Sequence, residues 1–145
     1  MDGLTLVIGN KNYSSWSMRA WVLLAQLGIA FEERKLRFET DEWDAGIGRW
    51  SPSGLVPVLW RGNAAVWDTL AIAETVAEWF PDKGVWPADP VARAFARSAA
   101  SGSSAIMVAN SAMLRACSRL TMTSTARCCR AWKRPIGPPK ACRCF

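Results

Sequence analysis

Histidine is missing from all 145 residues of the chain. Without an imidazole neither a Ser-His catalytic pair nor a histidine metal site can be built. Cysteine is missing from everything before Cys117, and the five that occur (Cys117, Cys128, Cys129, Cys142, Cys144) lie together near the end. A C-x-x-C thiol redox centre in the first part of the chain is thereby excluded. Acidic residues stop at Asp89, and tyrosine occurs once, as Tyr13. No apolar run approaches the roughly 18–20 residues of a membrane span. The start, M-D-G-L-T-L, lacks the basic opening and long apolar stretch of a secretory signal. The expectation is a soluble cytoplasmic protein.

What is present divides in two. Up to Ser98, ten basic residues face all twelve acids of the chain, a net charge of −2. From Ala99 to Phe145 there are eight basic residues and no acid. The overall +6 therefore belongs to the tail, and each part needs its own reading.

In the first part, Leu4–Ile8 is a short apolar run closed by Gly9-Asn10 and predicts a buried strand. Trp16–Leu27 carries apolar residues at helical spacing and ends at Gly28, a common stop. Ala30–Phe38 alternates in part and predicts a second strand near an edge. Asp41–Trp50, polar with scattered tryptophan, reads as a loop with a helical turn. Val56–Trp60 and Ala65–Trp67 flank Arg61-Gly62-Asn63, a hairpin signal. Thr69–Phe80 is an amphipathic helix stopped by Pro81. The order β-α-β then β-β-α predicts an α/β, thioredoxin-like domain over residues 1–81. Parallel pairing follows where a helix joins two strands, and antiparallel pairing across the tight turn.

Three junctions carry candidate chemistry, and each also has a plain structural reading. Tyr13-Ser14-Ser15-Trp16-Ser17 stands where the first strand hands over to a helix. A helix start offers unpaired N–H groups and a favourable field for an anion, and a hydroxyl there can hold a thiolate. A serine at that place is equally a common N-cap. Ser51-Pro52-Ser53-Gly54-Leu55-Val56-Pro57-Val58 could turn the Val56 N–H and C=O outward for an extended peptide if its second proline were cis. An ordinary trans proline at a strand entry is the plain alternative. Asp68-Thr69 opens the third helix, suited to a carboxylate on Thr69 and an ammonium on Asp68, or simply to an Asp cap.

In this order and spacing the motifs resemble the N-terminal domain of glutathione transferases, in the serine-type branch that includes zeta-like (maleylacetoacetate isomerase-like) enzymes. The resemblance covers roughly Leu4 to Arg97. It implies that Ser14, with Ser15 close behind, activates the sulfur of glutathione, the co-substrate, with Tyr13 a further alternative. It implies that Val56, before a cis Pro57, holds the cysteinyl backbone, and that Asp68 and Thr69 grip the γ-glutamyl end. Leu55 departs from the Lys or Gln frequent there, which bears on the glycyl carboxylate, and Thr69 replaces the more usual Ser. A cysteine-type transferase is excluded by the lack of an early Cys. The implied activity is attack of glutathione on an electrophilic small molecule. The alternative is a non-catalytic glutathione- or protein-binding module, or an inactive truncated transferase. No metal, membrane or nucleic-acid partner is implied, and the family's homodimer needs a helical domain that opens here at Asp89-Pro90.

Residues 82–98 thus read as a linker and the start of that helical domain, and residues 99–145 as a separate basic tail. The tail has sparse charges for nucleic acid, and its Cys128-Cys129 and Cys142-x-Cys144 spacings do not suit a metal knuckle. A shifted reading frame and a genuine unusual tail are the two readings left. Back-translated one base forward, Met122-Thr123 forces a stop. The other frame has no forced stop, and turns Ala131–Arg134 into a plausible helix fragment.

Overall fold

The computed structural model describes residues 3–101. The expectations for the rest of the tail, including its frame, lie outside the described residues. Four strands form one sheet: β1 (Leu4–Ile8), β2 (Glu32–Lys35), β3 (Val58–Arg61) and β4 (Ala64–Trp67). Their order across the sheet is β2-β1-β3-β4. β1 runs parallel to β2 and antiparallel to β3, and β3 turns back on β4 through Gly62-Asn63. The helices are α1 (Ser15–Gln26), α2 (Asp41–Trp50), α3 (Thr69–Trp79) and α4 (Pro90–Ser101), with a 3₁₀ turn at Pro81–Lys83. This is the thioredoxin-like arrangement the sequence predicts.

Side chains on β1 alternate between two cores, as a strand's period of two requires. Leu4, Leu6 and Ile8 join Leu59 and the apolar sides of α1 (Ala20, Trp21, Leu23, Leu24) and α3 (Ile72, Ala73, Val76). Val7, with Leu36 and Val58, faces the other way, against Trp43, Ile47, Trp50 and Trp60. The sheet is therefore covered on both faces, by α1 and α3 on one and by α2 on the other. At one edge, β2 spells E-E-R-K and has no buried residue.

One expectation is corrected. Asp41–Trp50 is not a loop with a single helical turn but a helix of ten residues. Thr40 caps it by accepting from the Trp43 N–H, and Asp41, Glu42 and Asp44 lie in the first turn with Arg49 in the last, matching the helix dipole. Trp43, Ile47 and Trp50 recur at helical spacing and form its inner stripe. Two glycines weaken the intrinsic preference, so packing rather than propensity holds this helix. A Cβ at Gly46 would stand 2.9 Å from Leu36 Cδ2, so that glycine lets α2 approach the end of β2.

α4 opens on Asp89, whose carboxylate accepts from the Ala92 N–H. It is tied to α3 by Arg97, whose Nε and Nη2 donate to the two carboxylate oxygens of Glu74 at 2.5 and 3.0 Å. That hydrogen bond raises the pKa of the Arg97 guanidinium above its ordinary value. Ala96 and Ala99 are buried, while Val91 and Phe95 are exposed.

The two α2 glycines should respond differently to alanine. At Gly48 nothing lies within 4 Å of an added Cβ, so Gly48→Ala should stabilise the chain by about 0.5–1 kcal/mol in urea unfolding. Gly46→Ala should gain less or lose, because Leu36 must move.

Candidate functional site

The strand register decides which loops can meet. Val7 pairs with Val58 across β1 and β3, and Val58 pairs with Trp67 across β3 and β4. The exit of β1, the entry of β3 and the exit of β4 therefore lie side by side at one end of the sheet. Since neighbouring strands are about 4.8 Å apart, the exits of β1 and β4 are about 10 Å apart. The exit of β1 leads into α1, the entry of β3 follows Val56-Pro57, and the exit of β4 leads into α3. All three junctions singled out in the sequence are thus gathered along one sheet end. The exit of β2 joins them, because β2 runs parallel to β1.

At the first junction the serines divide their roles. Ser14 is the N-cap of α1: its Oγ accepts from the Ser17 N–H at 3.4 Å and donates to Ser17 Oγ at 2.7 Å. Ser17 is fully buried, and its Oγ also accepts from the buried Gly9 N–H at 3.0 Å. Ser17 therefore joins the last turn of strand backbone to the first turn of helix. Ser15 is the first helical residue and is exposed, and its hydroxyl bonds to no other described residue. Tyr13, one place before the cap, is 64% exposed and its ring stands 5.8 Å from that of Phe38.

Several residues that fix this loop were not legible as functional in the sequence. Asn10 Oδ1 accepts from the Phe38 N–H at 2.8 Å, and Asn10 O accepts from the Ser14 N–H at 2.9 Å, so one residue stitches the β1 exit to the β2 exit. Gly9 admits the Phe38 ring, which an added Cβ would meet at under 2.5 Å. Lys11 pairs with Glu33 at 2.6 Å, and Glu33 also accepts from Trp21 Nε1 at 2.9 Å. With side chains 9% and 13% exposed, this ion pair pins the loop to both β2 and α1. Ser17 had a signal, as the third hydroxyl of S-S-x-S; the others had none beyond a strand boundary.

At the second junction the Val56–Pro57 peptide bond is cis. Ser51 organises the approach: its Oγ accepts from the Leu55 N–H at 3.0 Å and donates to the Leu55 carbonyl at 2.6 Å. The Val56 backbone makes none of the turn, loop or cap hydrogen bonds among the described residues. Leu55 projects an apolar side chain that is 69% exposed. At the third junction Asp68 has φ +70°, uncommon for a residue with a side chain and a conformation found at ligand-binding turns. Its Oδ1 caps α3 by accepting from the Leu70 N–H at 2.9 Å. Thr69 is 92% buried, and its Oγ1 has no hydrogen-bond partner. Such a hydroxyl is costly to leave unpaired. Among the described residues no cluster of three metal-ligating side chains occurs, and no helix is long and apolar enough to cross a membrane.

A mixed four-stranded sheet with helix starts and a cis-proline loop along one end defines the thioredoxin-like class. Within it, residues 13–79 match the family model of the glutathione S-transferase N-terminal domain. Over 85 residues the chain is 29% identical to a probable maleylacetoacetate isomerase of Caenorhabditis elegans, covering 59% of this chain and 40% of that one. Over 63 residues it is 35% identical to a dichloromethane dehalogenase of Methylorubrum extorquens, covering 42% and 22%. The chain thus matches less than half the length of either curated relative. Among solved structures, a glutathione transferase homologue from Burkholderia with bound glutathione superposes with a TM-score of 0.61 at 28% identity, covering 86% of this chain and 71% of that one. One from Sulfitobacter, also with bound glutathione, gives 0.59 at 27%, covering 68% and 47%. Residues 13–79 are therefore similar to the glutathione S-transferase N-terminal domain, on the thioredoxin-like fold described above.

Ser14 and Ser17 should be separable by stability. Ser14→Ala removes a cap and should cost about 1 kcal/mol. Ser17→Ala strands the buried Gly9 N–H and should cost about 2 kcal/mol. Denaturant unfolding of both variants checks the order.

Proposed function

We propose that the domain binds glutathione along this sheet end and holds its thiolate for attack on an electrophilic small molecule. The gathering of three junctions over two strand spacings is the observation that carries the reading. An extended tripeptide is about 10 Å long, the same span as the two spacings. The γ-glutamyl end would lie at the start of α3, its carboxylate on Thr69 and its ammonium on Asp68. The cysteinyl backbone would pair with the Val56 N–H and C=O, which places the sulfur toward the start of α1. The glycyl end would then extend past Leu55, which offers no charge to its carboxylate. A cytoplasmic setting suits a co-substrate that must stay reduced.

The thiolate is stabilised there by the unpaired N–H groups and field of α1 and by a serine hydroxyl. The hydrogen of Ser14 is engaged with Ser17, whereas that of Ser15 bonds to no other described residue. The geometry therefore favours Ser15 as the direct donor and Ser14 as the residue that shapes the turn. The protein contributes positioning and charge stabilisation rather than a covalent intermediate.

Two variants test this. Thr69→Val removes a buried hydroxyl with no partner, so stability should hold or rise slightly, while glutathione affinity falls about fivefold to tenfold. Unchanged glutathione affinity in Thr69→Val would sink the placement of the γ-glutamyl end. Ser15→Ala should lower thiol-conjugation turnover at least tenfold with a smaller change in glutathione affinity. If Ser14→Ala does so instead, in a folded protein, the donor is one residue earlier. Retention on glutathione without any turnover would favour the non-catalytic binding module.

A further inference from the structure

Backbone donors at the start of α1 are almost all engaged within their own turn. The Tyr13 and Ser14 N–H groups both donate to the Asn10 carbonyl, at 3.4 and 2.9 Å. Ser14, at φ −82° and ψ 84°, centres an inverse γ-turn that the Ser15 N–H closes on the Tyr13 carbonyl at 3.1 Å. The Ser17 N–H is taken by the Ser14 cap. The Trp16 N–H makes no hydrogen bond with another described residue. One amide and the Ser15 hydroxyl are therefore what this junction offers an anion.

The turn that presents them hangs on Asn10. Its carbonyl holds two amides of the turn, while its side chain reaches the other way, Oδ1 accepting from the Phe38 N–H at 2.8 Å. Gly9, the residue before, is held by Ser17 Oγ and leaves room for the Phe38 ring. Tyr13, further along the turn, has its ring 5.8 Å from the same Phe38 ring. Phe38 is thus a peg for both ends of the loop, and the Asn10 side chain is the polar tie that sets the loop's angle on it. The apolar contacts at Gly9 and Tyr13 do not need that tie, so its loss should leave the fold in place and let the turn swing.

We propose that Asn10 is a positioning residue for the thiolate, acting through the Trp16 N–H and the Ser15 hydroxyl rather than on the sulfur itself. The role presupposes glutathione binding as proposed above. A charge-assisted hydrogen bond weakens steeply when misdirected, so a small swing of the turn lowers ionisation of the thiol more than it lowers affinity for the tripeptide. The other contacts proposed for the ligand, at Val56, Asp68 and Thr69, stand on separate junctions.

The test follows the ultraviolet absorbance of the thiolate in glutathione bound to the full chain, from about pH 5 to about pH 9. In Asn10→Ala the ratio of bound thiolate to bound thiol at pH 7 should fall about tenfold, with glutathione affinity changed less than about fivefold. A merely structural Asn10 would lower stability and leave the ratio as in the wild type, and that result overturns the proposal. A wild-type chain that binds no glutathione, or binds it only as the thiol, overturns the glutathione reading and this role with it. A second measurement needs no variant. Because linkage is reciprocal, saturating glutathione should slow hydrogen exchange at the Phe38 amide of the wild type by about tenfold, and S-methyl glutathione, which cannot ionise, should slow it less. Equal slowing by the two ligands, or none by either, also overturns the proposal.

Discussion

β1 is hydrogen bonded along both sides, in opposite senses, and that one strand decides which parts of the chain can meet. Parallel pairing with β2 puts two strand exits at the same end. Antiparallel pairing with β3 puts an entry between that exit and the exit of β4. Three helix or loop starts, far apart in sequence, are thereby placed side by side. A slip of one residue between β1 and β3 would do more than spoil hydrogen bonds. It would turn Val58 and Leu59 to the wrong cores and move the cis-proline loop along the sheet. The alternation of Leu6 and Val7 between two buried faces is what forbids the slip.

Upon that frame the local chemistry is fixed by small polar anchors. Ser17 joins strand to helix, Asn10 joins two strand exits, and Ser51 closes the turn ahead of the cis proline. Each satisfies backbone groups that would otherwise be stranded in a partly buried place. Thr69 is the exception, a buried hydroxyl without a hydrogen-bond partner. The contrast is what the proposed glutathione reading draws on: the anchored groups fix the backbone of the junctions, and the Thr69 hydroxyl is left without a partner.

β1 and β3 were legible as short apolar runs, and α1 and α3 because their apolar residues keep a helical period and Gly28 and Pro81 follow their ends. α2 was not, although its Trp43-Ile47-Trp50 stripe and Thr40 cap were in plain view. Gly46 and Gly48 argued against a helix, and only the tertiary need to cover Val7 and Val58 outweighs them. The candidate site was legible as three motifs in the right order. That Ser14 caps α1 while the Ser15 hydroxyl stays open was not, because which hydroxyl caps depends on where the helix begins. Asn10, Lys11 and Glu33 were hidden for a related reason: their partners lie more than ten residues away or on another strand.

The sheet has two unlike borders. β2 ends it with Glu32, Glu33, Arg34 and Lys35, a row of charges on a strand with no buried residue. β4 ends it with Ala64, Ala65, Val66 and Trp67, four uncharged residues with the indole of Trp67 45% exposed. Charge along a border discourages another chain from adding a strand, since it would have to strip water from each side chain in turn. Among the described residues the sheet is therefore one-sided with respect to extension, with charge along β2 and none along β4.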